Sequence, residues 1–200
     1  MRRPGLPRGP RVRRRSPGEH GFDQVSVAQV AGAAEVSKRT VFAYVPAKED
    51  LVVHRFADHE AEPGWVVRAR TRGVDPLSAL REHFLRGLRD RDPITGLNNL
   101  PETHAFTRVV AETPALRARA AGFQEGAGRM LAQALQDNAG VPVLTARLAA
   151  THLVSTERLL AWDNFRSLDG GRSADERHPQ AVADAEHAFA LLAEGLTGHL

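Results

Sequence analysis

The sequence predicts an all-α fold, and three observations carry that prediction. Apolar residues recur at steps of three and four along most of the chain, Asp75-Pro76 and Thr113-Pro114 supply helix starts, and no stretch alternates apolar and polar residues in the manner of a strand. About nine helices are expected, in a short N-terminal helical domain and a larger helical domain from about residue 63.

The first 18 residues stand apart. They hold seven arginines and no acid, which leaves 20 basic against 24 acidic side chains in the remainder, so the net charge of +3 belongs to the leader. Pro4, Pro7, Pro10 and Pro17 forbid a regular helix there, and residues 1–18 read as a disordered leader. A helix-bearing segment follows. Ser26 and Gln29 form a capping box for a short helix, 27–34, whose Val27, Val30, Ala31 and Ala34 share one face. Ser37 caps a second helix with Val41, Phe42 and Val45 on its apolar side, and Pro46 ends it. A third starts near Lys48, with Glu49 and Asp50 in its first turn, where negative charge suits the helix dipole, and with Leu51, Val52 and Phe56 turned inward.

Glu62-Pro-Gly64 reads as a chain break. Asp75-Pro76 then opens a helix carrying Leu77, Leu80, Phe84 and Leu88. Thr113-Pro114 opens another, with Leu116, Ala120, Phe123, Ala127, Met130 and Ala134 on one stripe, closed by Gly140 and Pro142. Residues 143–162 are apolar nearly all round, which fits a central helix or a subunit contact. The segment 167–178, with two glycines and five charged residues, reads as a loop, and a last helix begins near Pro179 with Val182, Ala185, Phe189, Leu192 and Leu196 inward.

Composition narrows the function classes. The 42% apolar and 26% charged residues are those of a globular chain, and the apolar runs are too short to span a bilayer. The basic start lacks the apolar body of a secretory signal, so a cytoplasmic location is expected, with no membrane partner. Absence of cysteine excludes thiolate metal centres, disulfides and a cysteine nucleophile. His54 with His59 and Glu82 with His83 are five and one residues apart, which does not place two ligands on one helical face, so no metal is expected. Without a strand before a glycine-rich turn there is no phosphate loop. His152 and Ser155 lie three apart without a nucleophile elbow and read as structural polar groups. Neither catalytic residues nor cofactors are expected.

What remains is the helix pair around residues 26–45. Two short helices joined by about three residues have the dimensions of a helix-turn-helix, which projects the start of its second helix into the major groove. Lys38 and Arg39 there suit guanine edges, Thr40 and Tyr44 suit phosphate oxygens, Lys48 adds a third cation, and Ser26 and Ser37 complete the DNA-facing set.

The run from Gly21-Phe-Asp-Gln-Val through Ser37-Lys-Arg-Thr-Val-Phe-Ala-Tyr44 to Lys48-Glu-Asp-Leu51 resembles the DNA-binding domain of TetR-family transcriptional regulators, and Glu112-Thr-Pro-Ala-Leu-Arg117 extends the resemblance loosely. The resemblance implies a helix-turn-helix domain over 19–62 and an effector-binding and dimerisation domain over 63–200. It also implies a homodimer and, most often, repression relieved when a small molecule releases palindromic operator DNA. Phe84, Leu88, Phe106, Phe123, His152 and Trp162 are the candidate lining of a hydrophobic effector pocket, and the last two helices, with Phe189 and Leu192, are the candidate dimer contact.

The chain departs from the family pattern in three places. Glu35 stands where the turn usually has Gly, Ala47 where the next helix usually has a capping Ser, and residues 1–20 do not form the usual first helix. The preferred reading is a frame or start-site error, because arginine- and proline-rich sequence is typical of a misread GC-rich frame. The alternative is a ligand-binding helical dimer whose DNA binding is impaired.

Overall fold

The computed structural model describes residues 31, 37, 39, 47, 49, 50, 52, 53 and 59–195, and these divide between two compact units, 1–48 and 49–200. The helices expected at 27–34 and 38–45 fall almost wholly outside the described residues. Of the first, Ala31 is helical and buried.

Among the described residues, the second unit contains six helices with both ends placed, and no strand: α1 Glu62–Ala69, α2 Pro76–Asp90, α3 Pro101–Glu112, α4 Pro114–Ala139, α5 Val143–Asp169 and α6 Ala174–Glu194. A single 3-10 turn, Pro93–Thr95, joins α2 to the segment before α3. The α4 and α5 helices, roughly 39 and 40 Å long at 1.5 Å per residue, pack on each other across the short Gly140-Val141-Pro142 connection. The α1 helix lies on α4 and α2, and α6 lies on α5 and α2. Leu80, Phe84, Leu88, Leu131, Leu135, Leu153 and Phe189 meet in one core, where the Phe84 and Phe189 rings stand 6.2 Å apart. A two-pronged Arg81–Glu186 ion pair, with both hydrogen bonds at 2.6 Å, closes the rim between α2 and α6.

The expected helix starts form where side chains can satisfy them. Asp75 accepts from the Ser78 amide at 2.9 Å with Pro76 at the first helical position, so the first turn of α2 has both its cap and its preset φ. Gly140, at φ +66°, ends α4 in the left-handed conformation that its missing Cβ permits.

Four expectations are corrected. Glu62-Pro-Gly64 does not break the chain but begins α1, because proline is tolerated in the first turn, where its missing N–H has no intrahelical partner to lose. Gly64 then serves packing: a Cβ there would stand 3.0 Å from the Met130 carbonyl oxygen of α4. The 167–178 loop shrinks to four residues, since α5 runs to Asp169 and α6 starts at Ala174. Ser173 and Glu176 form a reciprocal capping box that overrides the loop-like composition and carries Pro179 inside the helix. The apolar stripe of α4 is broader than expected and rotated, burying Leu131, Ala132 and Leu135 while Met130 is exposed, because the helix has neighbours on more than one side. Phe189, expected at a subunit contact, is 1% exposed and fills the core of its own chain, with Leu192 half-buried beside it.

Candidate nucleic-acid and effector sites

Within the N-terminal unit, Ser37 is exposed and non-helical and Arg39, two residues on, is exposed and helical. Ser26, Lys38, Thr40, Tyr44 and Lys48 lie outside the described residues, as does Glu35. Past the unit boundary, the amides of Val52 and Val53 both donate to the Glu49 carbonyl at 3.0 Å, the first turn of the helix expected near Lys48. Its buried face uses Val53 rather than Val52, and buried Asp50 accepts from the Arg119 guanidinium of α4. Ala47 sits at a bend just before that turn.

The six residues named for an effector pocket do not gather in one place. Phe84 and Leu88 are core residues of α2, Phe106 is half-buried on α3, and His152 is exposed on α5. Phe123 lies under the Arg119 guanidinium at 4.9 Å, and Trp162 stacks on Phe165 at 5.3 Å with Arg166 over its face. A void no larger than one water molecule lies nearby, bounded by Gly96, Asn98, Thr103, His104, Thr107 and Phe165, and none of the six lines it. A shallow open groove at the α5–α6 corner is lined by Gly170, Gly171, Arg172, Glu176, Pro179 and Gln180.

Two polar centres inside the C-terminal unit escaped the sequence reading. In the first, Asn164 donates to the Thr95 carbonyl at 2.9 Å and accepts from Arg177 Nε at 3.0 Å, while Arg177 Nη2 reaches Asp184 at 2.6 Å. Burial works against the Asp184 carboxylate, but hydrogen bonds from Gln180 and Arg177 overcome it and hold the group below the usual carboxylate range. Gly96, φ +69°, lets the backbone beside Thr95 lie on α5; a Cβ there would fall 1.9 Å from the Ala161 carbonyl oxygen.

In the second centre, Glu62 at the start of α1 receives two imidazoles, His59 Nδ1 at 2.7 Å and His83 Nε2 of α2 at 3.1 Å. These hydrogen bonds lower the Glu62 pKa to about 2 despite its partial burial. The His83 ring is raised above its ordinary value, chiefly by its bond to Glu62. On α5, partly buried Glu157 is pushed up to about 7, chiefly by desolvation. The helical i,i+3 spacing of His59 and Glu62 was a readable signal for part of this cluster; the approach of His83 on α2 was not. Among the described residues no group of three or more His, Asp or Glu has the arrangement of a metal site.

Against known families, residues 14–54 match the group described as bacterial regulatory proteins, tetR family. Residues 14–54 are a TetR-family DNA-binding domain. The match begins seven residues before Gly21 and so reaches into the segment read as leader. No curated protein matches the chain. Among solved structures it is similar to the crystal structure of NalD, the secondary repressor of the MexAB-OprM multidrug efflux pump in Pseudomonas aeruginosa. The two share 18% identity over 88% of this chain and 87% of that one, with a TM-score of 0.49. The match over residues 14–54 supports a DNA-binding transcriptional regulator, and the described residues form an all-α fold. No helix of the described residues is long and apolar enough to cross a membrane.

Proposed function

We propose that the chain is a homodimeric repressor that leaves a near-palindromic operator when a small hydrophobic effector enters its C-terminal unit. The observation that carries this reading is the family match over 14–54, with exposed Ser37 and Arg39 at the start of its recognition helix. Lys38 and Arg39 read base edges, while Ser26, Ser37, Thr40, Tyr44 and Lys48 position the helix on phosphates.

Two-fold pairing is supported by α5. Its Leu144, Leu148 and Leu159 are 67%, 52% and 57% exposed, and Val143 extends the same apolar surface at the end of the helix. A stripe of that kind suits a second copy of the same helix, so the dimer contact runs along α5 and the outer face of α6 rather than through Phe189. A dimer places two recognition helices about 34–36 Å apart on one side of the duplex, which requires a symmetric operator. An effector releases DNA only if it prefers the state whose helices no longer match that spacing.

The reading is tested by operator selection followed by affinity measurement. Arg39→Ala should relax base preference, and Lys48→Ala should weaken all sequences alike. Unchanged specific affinity in both Lys38→Ala and Arg39→Ala would sink the regulator mechanism. A second reading, a ligand-binding dimer with weak DNA binding, is favoured by Pro17 and Gly18 inside the family-matched segment. Replacing residues 14–20 by an amphipathic helix should then strengthen operator binding.

A further inference from the structure

The exposed apolar residues of α5 are not scattered over it. Leu144, Leu148 and Leu159, with exposed Ser155 among them, line the side of the helix opposite the buried Ala146, Ala150, Leu153, Leu160 and Asn164. At 3.6 residues per turn, the point midway between Thr151 and His152, both exposed, faces away from that buried side. The same point is the middle of the stripe: Leu144 and Leu159 lie equally far to either side of it, and so do Leu148 and Ser155. A surface that matches itself when turned end for end is what a two-fold axis requires.

We propose that α5 pairs antiparallel with α5 of a second copy about a two-fold axis passing between Thr151 and His152, so that Leu144 of each subunit shares a layer with the partner's Leu159. The pairing rests on the homodimer reading above and adds its direction and register.

This register fills the seam evenly. Leu148 comes opposite the partner's Ser155, so a large side chain meets a small one at the centre of the seam and the layer closes without overpacking. His152 meets the partner's His152 along one edge, and Thr151 meets the partner's Thr151 along the other. Thr151 Oγ1 already donates to the Arg147 carbonyl at 2.9 Å, so the axis strands no hydroxyl donor. Arg147 comes level with the partner's Thr156 and Arg158 with the partner's Thr145, which keeps like charges apart.

The competing arrangements fit less well. With Leu148 on the axis, Leu159 overruns the partner's helix, which begins at Val143. With Ser155 on the axis, Leu144 lies against the partner's Arg166. A parallel pair sets Leu148 on Leu148 and Ser155 on Ser155, which crowds one layer and leaves the other slack, and it aligns the two helix dipoles.

The chain contains no cysteine, so introduced cysteines report the register without interference. Sedimentation of the full chain comes first, and a monomer there would overturn the homodimer reading and this pairing with it. In the dimer, disulfide formation is then followed under mild oxidation. His152→Cys and Thr151→Cys should each link to their own copy at least about tenfold faster than exposed Glu82→Cys, which measures chance collision. Leu144→Cys alone should stay at that background, because its two copies stand about 22 Å apart at 1.5 Å per residue, beyond the reach of a disulfide. Leu144→Cys combined with Leu159→Cys should link as fast as His152→Cys. Fast linking of Leu144→Cys alone would mean a parallel pair. Background rates in every one of these variants, in a chain that sediments as a dimer, would put the contact elsewhere. Either result overturns the register and leaves the homodimer reading standing.

Discussion

The two polar centres of the C-terminal unit are built from similar parts and behave in opposite ways. Around Asn164, each buried polar atom meets a partner of fixed protonation: an amide, a guanidinium and a carboxylate with two donors. Around Glu62, two imidazoles answer one carboxylate, and an imidazole is the side chain that changes charge nearest neutrality. The contrast shows that burying polar groups does not by itself make a helix junction rigid or switchable. What decides is whether the partners titrate.

The sharpest way to break the comparison is to remove the fixed partner. Arg177→Met leaves Asn164 Oδ1 without its donor and takes one of two donors from the Asp184 carboxylate, and urea unfolding should show a loss of about 3 kcal/mol, equal at pH 6 and pH 8. A loss that varied between those two pH values would erase the distinction between the centres. Gly96→Ala attacks the backbone beneath the same centre; with the added Cβ only 1.9 Å from the Ala161 oxygen, α5 must shift. We expect a cost of about 2–3 kcal/mol by thermal unfolding.

Glu62→Gln acts on the other centre and should have a pH-shaped effect. The Glu62 pKa is about 2 folded and 4.5 unfolded, so its stabilisation is complete above pH 4.5 and lost as pH falls to about 2. Acid titration should therefore show a rise of stability across that window in the wild type that is missing in the variant, and a deficit of about 2 kcal/mol at neutral pH. The smallest effect is that of Ser173→Ala, which removes one half of the α6 capping box and should cost about 1 kcal/mol by urea unfolding. That loss should be indifferent to which centre has been altered, because the cap does not touch either carboxylate.

Much of the fold was legible because short-range chemistry dictated it. The caps at Asp75 and the terminating Gly140 act within a few residues of themselves, and the stripe of Leu80, Phe84 and Leu88 needs only helical periodicity to be seen. The α6 start was equally local, a Ser173 and Glu176 pair obscured by the glycines before it. The remainder was not local at all. Asn164 is 69 residues from its partner Thr95, and Glu62 meets His83 only because α1 packs against α2. The family's DNA-binding segment could be read for the same reason as the caps, since its motif occupies one short stretch of sequence. An effector pocket cannot be read that way, because its walls come from several helices. The exposed leucines of α5 belong to an intermediate class: periodicity marked the helix as too apolar for solvent, but only packing showed which side stayed uncovered.

The seat of Gly96 on α5 has a mechanical consequence. Two main chains in contact at Ala161 leave no compliant side chain between them, so this point behaves as a fulcrum rather than a bearing. From it α5 extends about 27 Å toward Val143 and about 12 Å toward Asp169 at 1.5 Å per residue. The helix is an unequal lever: a tilt about Ala161 swings Leu144 roughly three times as far as Arg166. Spin labels at 144 and 166, measured against a reference on α2, should register that ratio in any rearrangement of the unit, and equal displacements would mean that the fulcrum itself slides.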